Sequence, residues 1–97
     1  MPQPTLLPSP APGVMFQPLD DGAVLFSPDS EVYFGLNHVG AAIWELLPPE
    51  TDSVEALCTA LAERYPDAAP AALADDVARL LGDLGREGLV VAPAGGG

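Results

Sequence analysis

The sequence predicts an α+β fold, a three-stranded antiparallel sheet followed by three helices. Three observations predict it. Short apolar runs with strand character fill residues 14–37, a helical period takes over at Val39, and turn residues or prolines separate the segments. The order strand-strand-strand-helix-helix-helix requires that one face of the sheet be covered by the helical layer.

The first two strands are "VMFQPL", residues 14–19, and "AVLFS", residues 23–27, both rich in β-branched and aromatic side chains. Between them lies "DDG", and Asp21-Gly22 is expected at the centre of a type I′ turn, where both central residues need positive φ. Pro18 has no N–H to give a ladder, so the first strand belongs at an edge or a bulge. "SPDS", residues 27–30, makes the second turn, with Pro28 at its first central position. In the third strand Val32, Phe34 and Leu36 share one face, and Glu31, Tyr33 and Gly35 the other.

At Asn37 the period changes. Val39, Ala42, Ile43, Leu46 and Leu47 recur at i, i+3, i+4, i+7 and i+8, the stripe of an amphipathic helix, and Asn37 is its expected N-cap. Trp44 falls beside that stripe, at the core margin or facing a partner. Pro48 and Pro49 stop the helix. A second helix is expected in "TDSVEALCTALAERYP", capped by Asp52 or Ser53; with Asp52 as cap, Glu55 takes the N3 place of a capping box. Pro66 ends it and Pro70 opens a third, with Leu73, Val77, Leu80, Leu81 and Leu84 as its stripe. Asp75 and Asp76 suit the positive end of that helix, Gly82 and Gly85 weaken it, Gly88 ends it, and "LVV", residues 89–91, docks as an extended segment.

Ninety-seven residues allow one domain. Residues 1–13 carry five prolines and are expected to be a disordered arm, residues 14–91 the domain, and residues 92–97 a flexible tail. The net charge of -11 repels nucleic-acid phosphates and anionic lipid, so no nucleic-acid or membrane partner is expected, and partners should be neutral or basic. A single cysteine and a single histidine exclude an internal disulfide and a Cys/His zinc set. With no signal peptide and no long apolar run, the expectation is a soluble, cytoplasmic protein that needs no cofactor.

Catalysis by Cys58 and His38 is disfavoured by placement, since Cys58 lies on an apolar helical stripe and His38 one residue past a cap. "DSV" offers Ser53 as a phosphopantetheine attachment point of a small acidic carrier protein, although an N-cap explains the same serine. Three helices on a small sheet also allow a winged-helix interaction module. DNA binding is excluded by the acids Asp75, Asp76, Asp83 and Glu87 set against Arg79 and Arg86.

Taken together, Tyr33, Leu36-Asn37, "GAAIWELL", "SVEALCTALAERYP", Asp76-Val77 and "LGREGLV" resemble the PqqD family, the RiPP recognition elements, over about residues 14–91. The resemblance implies a winged-helix-like domain that is not an enzyme. It implies binding of the leader segment of a ribosomally made precursor peptide, and presentation of that peptide to a modifying enzyme such as a radical-SAM protein, or to a leader peptidase. In that family the leader adds beside the third strand and lies against the third helix, which carries the site onto Val32, Tyr33, Phe34, Gly35 and Leu36 and onto Asp76, Arg79, Leu80 and Asp83. An open strand edge independently suits this use, because its unpaired main-chain groups give sequence-tolerant affinity.

Overall fold

The computed structural model describes residues 5–92. Its elements run β1 (Ser9–Pro10), β2 (Met15–Leu19), β3 (Gly22–Ser27), β4 (Val32–Asn37), α1 (His38–Glu45), α2 (Val54–Arg64), α3 (Pro70–Arg86) and β5 (Val90–Val91). β2, β3 and β4 form the expected antiparallel meander in that spatial order, which leaves Pro18 on an edge strand.

The β2–β3 turn differs from expectation by one residue. Leu19 pairs with Gly22, so Asp20 and Asp21 form the loop, and neither has positive φ. Gly22 serves another purpose: its φ is +157°, and a Cβ there would sit 1.9 Å from the carbonyl oxygen of Leu36 on β4. Glycine is needed where β4 crosses close, not at the centre of the turn. The second loop runs through Pro28 to Glu31, and Glu31 takes the left-handed conformation at φ 56°.

The core lies between the sheet and the helices. Ala23, Leu25 and Leu36 point from the sheet into a cluster with Ala42, Ile43, Leu57, Leu61, Val77, Leu84 and Leu89. Trp44 belongs to this core. Asn37 caps α1, its Oδ1 accepting from Gly40 N–H at 2.8 Å, and so fixes the helix start to the end of β4. Ser53, not Asp52, caps α2, accepting from Ala56 N–H at 3.1 Å; this puts Ala56 at N3 and Glu55 at N2, so the capping box does not form, and Glu55 accepts from Thr5 N–H. α3 begins at Pro70, which puts Asp75 and Asp76 beyond its first turn; the dipole role expected of them is not met, and Asp76 faces Arg79 at 3.9 Å. Gly88, at φ +73°, closes α3 with a Schellman pattern in which Leu89 N–H donates to Leu84 and Gly88 N–H to Gly85.

Residues 5–13 correct the expectation of a disordered arm. Leu7 is only 2% exposed within the core, its N–H donates to the Asp52 carbonyl, and Ser9–Pro10 pairs antiparallel with Val90–Val91. Burial of one leucine and pairing with the far end of the chain outweigh the proline content. Residues 1–4 of that arm, and all of the expected tail except Ala92, lie outside the described residues.

Candidate functional site

β4 is an edge strand, with no strand on its outer side among the described residues. The direction of its free groups follows from the close approach at Gly22. Because the Leu36 carbonyl is aimed at β3, Leu36, Phe34 and Val32 spend their main-chain groups on β3, and the alternate residues Tyr33, Gly35 and Asn37 turn theirs outward. The Asn37 carbonyl, as N-cap, enters the first turn of α1. Five groups therefore remain on the open edge: N–H and C=O of Tyr33, N–H and C=O of Gly35, and N–H of Asn37.

Beside this edge lies an open cleft of about 200 Å³ between β4, the start of α1 and the outer side of α3. Phe34, Gly35 and Leu36 form its strand wall; Asp76, Arg79, Leu80 and Asp83 form its helical wall. Those four helix residues share one face at positions three and four apart. Apolar side chains line the bottom and ion-paired ones the rim, since Arg79 pairs with Asp76 and Arg86 with Asp83, all in contact with solvent. Pairs of that exposure contribute little to stability and leave the carboxylates available to a ligand.

Seven of the nine residues expected at the site thus meet in one cleft. Val32 and Tyr33 do not line it. Val32 lies at the far end of β4, and the Tyr33 ring, 72% exposed, stands on the opposite face of the sheet against Phe26, with ring centroids 4.5 Å apart. Only the backbone of Tyr33 faces the open edge. The sequence reading missed Asn37, Val39, Gly40 and Ile43, which close the end of the cleft. Their signal was the cap itself, because a helix starting directly at a strand end places its first turn beside that strand's edge. Gly40 is tight here: a Cβ would stand 3.3 Å from Asn37 Oδ1 and from the Leu36 side chain.

The other candidate groups lie elsewhere. Ser53 is 7% exposed with its hydroxyl occupied as a cap, an unsuitable anchor for a prosthetic arm. Cys58 is half-buried against the core, and burial, followed by the Glu55 carboxylate, pushes its thiol pKa up, away from the thiolate a nucleophile requires. His38 is exposed, and its carbonyl accepts from the Tyr65 hydroxyl. Among the described residues no three His, Cys, Asp or Glu come together in a way that could hold a metal, and no helix is long and apolar enough to cross a membrane. The arrangement is equipped to bind an extended chain.

Comparison with known proteins is consistent with this geometry. The family model described as Coenzyme PQQ synthesis protein D (PqqD) matches residues 22–90, from the first residue of β3 to β5. A solved structure, TbiB1 in complex with the TbiA(beta) leader peptide, is similar at TM-score 0.75 and 27% sequence identity, over 89% of this chain and 98% of that one. No curated protein matches the chain.

Proposed function

Since the chain belongs to the PqqD family, we propose that it binds the leader segment of a ribosomally synthesised precursor peptide and presents it to the enzyme that modifies or processes that peptide. The observation that carries this reading is the juxtaposition of five free main-chain groups on β4 with a cleft walled by α3. A peptide added as a further antiparallel strand would satisfy those groups and lay alternate side chains into the cleft. The similarity to TbiB1, whose structure holds a leader peptide, supports the same use.

Each main-chain bond contributes about 0.5–1.5 kcal/mol net, so five supply about 2.5–7.5 kcal/mol. One or two apolar anchors in the cleft add about 1.5–3 kcal/mol each, and ordering the peptide offsets part of the sum, which leaves binding in the micromolar range or tighter. The binding site comprises the outward main-chain groups of Tyr33, Gly35 and Asn37, the side chains of Phe34 and Leu36, and Asp76, Arg79, Leu80 and Asp83. The acidic balance favours a leader that carries basic residues, with affinity that falls as salt rises. The protein acts as a non-catalytic adaptor in the cytoplasm. A radical-SAM enzyme or a leader peptidase fits the role of partner.

The test is fluorescence anisotropy of labelled peptides, one for the N-terminal segment of each short open reading frame flanking this gene, titrated with the purified protein. Saturation at micromolar concentration or below is expected. No saturation by the folded protein contradicts the proposal, as does turnover of the precursor by the protein alone.

A further inference from the structure

The helices cover one face of the sheet, and the other face carries an unexpected row of apolar side chains. Register places Met15, Phe26 and Tyr33 side by side across β2, β3 and β4. Met15 is 60% exposed and Tyr33 72%, with the Phe26 ring packed at a tilt against the tyrosine ring. Leu19, 53% exposed, lies on the same face near the other end of β2. None of these side chains lines the leader cleft.

Both ends of this face are acidic. Asp20 and Asp21 occupy the β2–β3 loop, and Asp29 and Glu31 the β3–β4 loop, all exposed. No lysine or arginine lies on the three strands or on either loop. We propose that this outer face is a docking surface for a folded protein partner with an apolar centre and a basic rim, and that the partner is the enzyme acting on the bound leader. The charge pattern decides between occupants. A second copy would bring the same acidic loops against themselves, whereas a basic rim neutralises them.

Continuity with β4 explains why the enzyme is the fitting partner, and here the inference rests on the leader reading. A strand added to β4 extends the same sheet, so half of its side chains emerge on the outer face beside Tyr33 and the side-chain-free Gly35. A protein seated on the Met15–Phe26–Tyr33 row therefore touches the leader as well. It recognises the loaded adaptor in preference to the empty one.

The test uses the full chain and each candidate peptide-modifying or leader-cleaving enzyme encoded in the same gene neighbourhood, with calorimetry for the enzyme and anisotropy for the leader. Met15→Glu is expected to weaken enzyme binding about tenfold or more, as loss of an interface anchor does, while Met15→Leu stays within about twofold. Asp20→Lys, a loop variant away from the strand ladder, is expected to weaken it too and to flatten its salt dependence. Leader affinity is expected to be unchanged in all three variants. Enzyme binding unaffected by both Met15→Glu and Asp20→Lys overturns the proposal, as does absence of enzyme binding by the native protein. A native dimer that Met15→Glu dissolves overturns the assigned occupant in favour of a second copy. If the leader fails to bind while Met15→Glu still abolishes enzyme binding, the docking surface stands and the leader reading falls.

Discussion

Gly35→Pro isolates the open edge of β4 from the fold beneath it. Gly35 faces outward, a Cβ there meets nothing within 4 Å, and its N–H is one of the five free groups, so proline removes a donor that β3 does not use. The ring also occupies the path of an incoming strand. The bond to Gly35 N–H is lost outright, and one or two neighbouring bonds are stretched. At about 1 kcal/mol each, two to three bonds amount to about 2–3 kcal/mol, or about a 30- to 150-fold rise in Kd. Gly35→Ala keeps the N–H and should stay within about threefold of the native protein. Phe34→Pro is a poorer probe, because Phe34 spends its main-chain groups on β3 and the variant would lose a ladder bond. The assay is anisotropy of the labelled leader, with circular dichroism to show that each variant is folded. A folded Gly35→Pro with native affinity would refute strand addition at this edge.

Three further outcomes are expected. Leu7→Ala should lower stability by about 2–3 kcal/mol in a urea melt, because Leu7 is a core residue; an unchanged midpoint would return residues 5–13 to the status of a loose arm. Ser53→Ala should cost about 1 kcal/mol through loss of the α2 cap and leave leader affinity unaltered, and intact mass should show no phosphopantetheine on the native protein after incubation with a transferase and coenzyme A. Glu55 has its pKa held below the ordinary glutamate value by its own backbone N–H and by that of Thr5, so the contact is formed above the ordinary carboxylate range and is lost as pH falls through the lowered value. The Thr5 amide resonance should move in that acidic window and stay still in Glu55→Gln; identical titrations in both proteins would exclude the contact.

The parts of the fold set by local periodicity were legible in the sequence. The alternation of Val32, Phe34 and Leu36, the stripe that follows it and the cap at Asn37 each depend on neighbours within a few positions. Residues 5–13 were not legible for the converse reason. Ser9 pairs with Val91 at the opposite end of the chain, two-residue strands carry no periodic signal, and proline argues locally against a strand. Glycine after aspartate signals a turn one residue later than the β2–β3 loop lies, because the carbonyl of Leu36, a tertiary neighbour, is what requires Gly22.

The candidate site divides in the same way. Spacing alone puts Asp76, Arg79, Leu80 and Asp83 on one side of α3, but only tertiary packing sets that side opposite β4. Val39 and Ile43 read as core because they belong to the α1 stripe, yet they also line the cleft. The place of Tyr33 in the strand points to the site, but its ring lies on the other face, where it forms part of a second apolar surface. Burial pattern distinguishes the two faces of a strand; it does not distinguish a side chain that binds from a backbone that does.

The most direct measurement is amide hydrogen exchange of the protein with and without saturating leader peptide, resolved to single residues. Strand addition predicts new protection at the amides of Tyr33, Gly35 and Asn37, with the amides of Val32, Phe34 and Leu36, already held by β3, little changed. Protection confined to β2, or no gain at Tyr33 and Gly35 under saturation, would contradict the account.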